Sequence, residues 1–162
     1  MEQLRLPSAV VSPSDIARMM RELNGLDDFF VDAETRKAGT TVKLPKLTRS
    51  LDQLARDNGI NLLQEAERSK LMESLKTVSR QAPNLHISFA VEPSPKSLEK
   101  ILIWMRRNIH PQTLLSVGLQ PAIAAGCVLR TPNKVFDMSL RNALNRQTSY
   151  LSQLIKGAAD GS

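Results

Sequence analysis

The chain has one cysteine, one tryptophan and one tyrosine among 162 residues, and aromatics make up only 4%. A lone cysteine, Cys127, excludes an internal disulfide and any metal cage built from several thiolates. With so few aromatics the core must be aliphatic, drawn from Leu, Ile, Val, Met and Ala, a composition that suits helices. Long apolar runs are missing as well. None approaches the roughly 18 residues that a membrane-spanning helix requires. The opening residues Met1 to Arg5 carry no signal-peptide run, so a soluble protein without direct membrane insertion is expected. Neither GxGxxG nor GxxxxGK(S/T) occurs, so no loop is marked for cradling phosphate. The two histidines, His86 and His110, have no second ligand at metal-binding spacing. Neither a metal nor a cofactor is expected.

Hydrophobic residues make up 41%, enough for a packed core. The net charge of +6 is unevenly spread, with about +1 on residues 1–84 and about +5 on residues 85–162. A basic second half suits an acidic partner surface, whether protein, nucleic acid or anionic lipid, and equally serves solubility.

Ser12, Pro13 and Asp15 form a strong helix start, with a capping hydroxyl, a proline in the first helical position and a carboxylate at the positive end of the dipole. Ile16, Met19, Met20 and Leu23 follow on one face, and Asn24-Gly25 is expected to end the helix. The pattern from Leu26 to Lys37 is ambiguous, and a second short helix through Phe29, Phe30 and Ala33 is one reading of it. Residues 38–46 read as a loop, because they hold Gly39 and Pro45 and lack helical period. A short helix from Thr48 to Arg56 turns Leu51, Leu54 and Ala55 inward, and Asn58-Gly59 makes a turn. A longer helix over about 62–81 presents Leu63, Ala66, Leu71, Leu75 and Val78, and Pro83 stops it. From Leu85 to Val91 the pattern alternates as a strand does. Ser94-Pro95 then opens a helix to about Asn108, with Leu98, Ile101, Leu102, Met105 and Ile109 inward; Ile103 and Trp104 fall outside that stripe. Thr113–Val117 reads as a second strand. Gly126–Arg130 and Lys134–Phe136 form a hairpin about the Thr131-to-Asn133 turn. A last helix runs from Met138 to about Ile155.

The expected fold is α+β, with a helical N-terminal domain over 1–84, a small α/β domain over 85–156 holding four strands and two helices, and a disordered tail over 157–162. Within it, His86 and His110 lie in different elements and read as structural. Cys127 reads as a small buried hydrophobe. Asp137 and Ser139 lack a histidine partner, and Asp137 is expected to cap the last helix. Arg106, Arg107, Arg130, Lys134, Arg141 and Arg146 could form a basic surface, but only Trp104 and Tyr150 are available for stacking on nucleic acid. On the last helix Leu140, Ala143, Leu144, Leu151, Leu154 and Ile155 share one side, interrupted by Gln147. Its distal part, with Tyr150, Leu151, Leu154 and Ile155, is either core or a surface for a partner helix.

The most specific stretch is Gly118 to Arg141: a small-residue loop bounded by Gly and Pro, a hairpin, then Asp-x-Ser-x-Arg at the start of a helix. Pro121, Ile123, Gly126, Arg130, Asp137, Ser139 and Arg141 together resemble the C-terminal domain of the delta subunit of F-type ATP synthases, the family of the oligomycin-sensitivity-conferring protein. The matching stretch is Leu119 to Leu144, and Leu85 to Val117 agree in element order. Gln120 stands where the family usually has an acidic residue, and Ala125-Gly126 where it has a glycine pair. The family begins with a larger helical bundle, so residues 1–84 would be either a reduced bundle or a different N-terminal part.

The resemblance implies a peripheral-stalk (stator) subunit without an active site, joining the catalytic head to the stalk and so supporting ATP synthesis coupled to proton transport. Its implied partners are the N-terminal segment of the alpha subunit and the b-subunit helices of the stalk. Its implied place is peripheral, on the cytoplasmic face of the cell membrane, and the lack of a transit peptide points to a bacterial source. Ile16, Met19, Met20 and Leu23 are the candidates for docking the head; Tyr150, Leu151, Leu154 and Ile155 are the candidates for docking the stalk. The competing readings are a basic nucleic-acid-binding accessory module and a small enzyme using His86 or Cys127, which would require those side chains to meet in a cleft.

Overall fold

The first helix starts as its cap residues dictate. Asp15 accepts from the backbone N–H groups of Val11 and Ser12 and from the Ser12 hydroxyl, and the Asp15 N–H points back at the Ser12 Oγ, a reciprocal capping box. In this computed structural model, which describes residues 4–35, 45–131 and 133–147, the helix α1 then runs unbroken over Pro13–Thr35. The break expected at Asn24-Gly25 does not occur. Leu23 and Leu26 extend the buried stripe across it, and packing of that stripe outweighs the cost of about 1 kcal/mol for a mid-helix glycine.

Helix α2 spans Arg49–Asp57. Thr48 caps it by accepting from the Leu51 N–H, and its hydroxyl donates to Glu22 of α1 at 2.8 Å. It ends at Asn58 and Gly59 (φ +63°), where Gly59 N–H bonds the Arg56 carbonyl and Ile60 N–H the Ala55 carbonyl, the paired closure that glycine favours. Helix α3 spans Glu65–Gln81, starting later than the periodicity predicts. Its inward stripe is Arg68, Leu71, Leu75 and Val78, whereas Leu63 and Ala66 are exposed. Arg68, only 4% exposed, is admitted because its charge is answered on three sides. It pairs with Asp27, donates to the Leu62 carbonyl and lies 4.5 Å over the Phe30 ring.

Strand β1 (Asn84–Phe89), helix α4 (Pro95–Asn108), strand β2 (Leu114–Leu119), a 3-10 turn at Pro121–Ile123, strands β3 (Gly126–Arg130) and β4 (Val135–Ser139), and helix α5 (Leu140–Arg146) follow. The expected α+β class holds, with helices leading into a four-stranded sheet. Sheet order is β2-β1-β3-β4, and β3 runs antiparallel to both its neighbours. Strand β4 extends to Ser139, beyond the predicted Phe136, because its pairing continues until Gly126 opposes Ser139. Helix α5 therefore starts at Leu140 rather than Met138.

The chain divides into two compact units that do not follow chain order. One takes the residues up to Asn84 together with Lys96–Leu115; the other takes Leu85–Pro95 and the residues from Ser116 onward. The first unit holds an aliphatic core of Val10, Ile16, Met19, Leu23, Leu26, Leu51, Leu54, Leu71, Leu75, Val78 and Leu114. Burying each large side chain contributes about 1.5–3 kcal/mol. Arg106 of α4 ties its N-terminal segment down. The guanidinium donates to the carbonyls of Leu6, Pro7, Val10 and Thr113 at 2.6–3.2 Å. Desolvation lowers its pKa to about 10, which leaves it charged at neutral pH. In the second unit the buried side chains are fewer, among them Leu85, Ile87, Ile123 and Val128.

Candidate docking surfaces

The stretch from Gly118 to Arg141 is built as a positioning device. Pro121 opens the 3-10 turn and Ile123 is buried. Ala124 then sits at φ +65°, ψ −56°, and the Ala125 N–H bonds back to the Ile123 carbonyl, a tight γ-turn of the strained hand. Gly126 follows at φ +88°. A Cβ there would overlap the Met138 carbonyl oxygen, so only glycine lets β3 and β4 approach this closely. The Ala125 carbonyl accepts from Leu140 N–H at 2.9 Å, which locks the loop to the first residue of α5.

The cap of α5 is Ser139, not Asp137. Ser139 Oγ accepts from Asn142 N–H at 3.1 Å, in the geometry of an N-cap, and the residue is buried. Asp137 works one step earlier: its carboxylate accepts from Ser139 N–H at 2.9 Å, and its carbonyl accepts from the Asn142 side chain at 2.8 Å. Because β4 runs on to Ser139, the cap shifts along the chain by two residues. Arg130 and Arg141 are exposed. The result is an outer strand with uncovered apolar side chains: Val135, Phe136 and Met138, followed by Leu140 at the start of α5, are each between 46% and 63% exposed.

The α1 stripe predicted to dock the head is occupied by the protein itself. Ile16, Met19 and Leu23 have no exposed surface, and Met20 packs against the same core. An amphipathic stripe reads alike in sequence whether its cover is internal or external, and here α1 packs against α3. Tyr150, Leu151, Leu154 and Ile155 lie outside the described residues, as does the tail over 157–162.

The enzyme reading requires His86 and Cys127 to meet in a cleft. Register separates the two residues: His86 opposes Arg130 while Cys127 opposes Phe89, so they project from opposite faces of the sheet. His86 is exposed and lies against Gly118, leaving 3.0 Å between its Nε2 and the position of a Cβ on that glycine. His110 closes a turn, with Nδ1 accepting from Gln112 N–H and its carbonyl accepting from the Thr113 hydroxyl. Burial raises the pKa of the Cys127 thiol, which disfavours the thiolate. Among the described residues, no three His, Cys, Asp or Glu side chains gather as a metal site would need. Arg106 also leaves the expected basic surface, since its guanidinium is spent on backbone carbonyls.

Two surface features of the first unit were not assigned a role from the sequence. One is a groove of about 260 Å³ formed by Leu47, Ala55, Ile60, Leu62 and Leu63, with the Asp52–Arg56 ion pair at its rim. The other is the outward face of α4, where Trp104 is 59% and Ile103 36% exposed. Their position off the buried stripe was the available signal for that face. For the groove no signal existed, because it is assembled from a helix and the irregular turn after it.

The sequence matches the family profile described as ATP synthase delta (OSCP) subunit over residues 15–151. The match therefore takes in the N-terminal helices as well as the sheet region that carries the signature. Two curated relatives, each named ATP synthase subunit delta, come from Xylella fastidiosa strains M12 and M23. Each is 23% identical over 108 residues, which is 67% of this chain and 61% of the relative. The aligned part thus spans about three fifths of the length of those relatives. No helix among the described residues is long and apolar enough to cross a membrane. With the profile covering both the helical part and the hairpin built around Gly126, the chain belongs to the ATP synthase delta (OSCP) subunit family.

Proposed function

We propose that this protein is a stator connector of a rotary F-type ATP synthase, a non-catalytic subunit that joins the catalytic head to the peripheral stalk. The observation that carries this reading is the family match over residues 15–151, which runs through both compact units. A connector resists torque by holding other subunits' helices, so it needs stiff elements and exposed apolar side chains more than reactive groups. The capped, continuous α1 and the glycine-locked β3–β4 hairpin supply stiffness. Val135, Phe136, Met138 and Leu140 supply uncovered apolar surface.

In this reading the helical part receives the N-terminal segment of the alpha subunit, and the basic C-terminal part receives the b-subunit helices of the stalk. With Ile16, Met19 and Leu23 occupied internally, their part in head docking is to hold α1 in place. Tyr150, Leu151, Leu154 and Ile155 are the proposed stalk contacts. The protein would work peripherally at the cytoplasmic face of the cell membrane.

The test is reconstitution of the synthase from its source in lipid vesicles, with and without this chain. With it, ATP hydrolysis drives proton pumping. Without it, the head still hydrolyses ATP but pumping is lost. Equal pumping in both preparations, together with no co-purification of head or stalk subunits, would overturn the reading.

A further inference from the structure

Helix α4 is amphipathic in an unusual sense, because both of its faces carry apolar side chains. Leu102 and Met105 are buried on one side. On the opposite side Lys96, Lys100, Ile103, Trp104 and Arg107 follow one another at spacings of four, three, one and three along a single stripe. All five are exposed. The centre of this stripe is apolar, with Trp104 and Ile103 side by side, and its flanks are cationic. None of the three cations has a carboxylate partner among the described residues. Glu99, at the margin of the stripe, accepts from Ser8 Oγ at 2.7 Å.

We propose that this outward face of α4 is a docking site for an acidic amphipathic helix of a partner protein. Two arguments point to that occupant. A stripe about three turns long matches the reach of a helix laid along it, and an apolar centre with Lys96 and Lys100 before it and Arg107 after it is complementary to a helix with Leu-type residues flanked by Glu or Asp. An exposed Trp is also a favoured anchor, since it covers much area with few rotors. A single aromatic is less suited to nucleic acid, which stacks successive bases on several. The identity of the partner rests on the stator reading, where it would be another subunit of the synthase; the chemistry of the site does not.

Trp104 is the sole tryptophan, so the intrinsic emission of the full-length chain reports on this site directly. The chain is titrated with a stapled helical peptide bearing a Leu stripe flanked by Glu, with its Lys-for-Glu counterpart, and with a single-stranded RNA oligonucleotide. The acidic helix is expected to shift the emission to the blue, to bind about tenfold more weakly to Lys100→Glu, and to lose affinity as salt is raised. By calorimetry, Trp104→Ala is expected to weaken it about 10- to 30-fold. These side chains are exposed, so the variants should keep the fold, which circular dichroism checks. Equal response to both peptides, no response to either, or tighter binding of the RNA overturns the proposal. The two hypotheses fail separately: loss of proton pumping on omission of the chain tests the stator role, whereas the emission of Trp104 tests only this face.

Discussion

The Met138 carbonyl oxygen occupies the space that a Cβ on Gly126 would take. Gly126 opposes Ser139 across the hairpin and sits at φ +88°. One missing side chain thus sets the approach of β3 to β4, the place where Leu140 meets the Ala125 carbonyl, and the point at which α5 begins.

Gly126→Ala should therefore destabilise the second unit by at least about 2 kcal/mol, the backbone strain of about 1–2 kcal/mol being joined by the overlap. A fall in the urea midpoint without a change in slope is the expected measurement. A midpoint matching the native protein would contradict the structure.

Two substitutions in the opposite sense should stabilise. Ala124 holds φ +65° without being glycine, so Ala124→Gly relieves strain and should gain up to about 1 kcal/mol against the entropy that glycine adds to the unfolded chain. Gly25 lies exposed within α1 with nothing within 4 Å of an added Cβ, so Gly25→Ala should gain up to about 1 kcal/mol. Thermal midpoints measure both.

Arg106→Met takes the guanidinium donor from the carbonyls of Leu6, Pro7, Val10 and Thr113, of which Pro7 keeps the Val10 N–H. A loss of about 2–4 kcal/mol is expected, together with easier proteolysis of the segment before α1. Arg106→Lys keeps the charge but not the fork of donors, and should fall between. Because its folded pKa lies below the ordinary arginine value, linkage through this group favours the folded state only above about pH 10 and is flat through neutral pH.

Asp27→Ala removes the carboxylate facing Arg68, whose own exposure is 4%. An uncompensated buried cation is costly, but Asp27 is partly exposed and Arg68 keeps the Leu62 carbonyl and the Phe30 ring. The expected loss is about 2–3 kcal/mol by equilibrium denaturation. Asp27→Leu paired with Arg68→Met should recover much of it, because a well-packed apolar pair can replace an ion pair.

Ser139→Ala should cost about 1 kcal/mol and Asp137→Ala less, since the hydroxyl caps the helix and the carboxylate only orients it. Amide exchange at Asn142 is the local readout.

Much of this architecture was legible in the residues because it is local. Ser12 with Asp15, Asn58 with Gly59, and the proline at 95 act on their own neighbours, so their helix ends are written where they occur. Strand alternation at Leu85–Phe89 and the small-residue loop before Gly126 are equally local, and they carried the resemblance to the delta family. Gly25 shows the limit: its intrinsic preference to end a helix was outweighed by packing of Leu23 and Leu26. Arg68 shows another, since nothing in its own neighbourhood announces a buried cation; Asp27 lies forty-one positions away.

The amino-acid order alone determined the helix-then-sheet composition, the start of α1, the ends of α2 and the signature around Gly126, because each depends on dihedral and hydrogen-bonding preferences within a few residues; the α5 cap, moved to Ser139 by strand pairing, was not among them. Tertiary structure alone decided which apolar stripes are filled. Ile16, Met19 and Leu23 became core while Ile103 and Trp104 stayed outside. Periodicity records that a face is greasy, and only the packing of distant elements decides whether the chain covers that face itself or leaves it for another molecule.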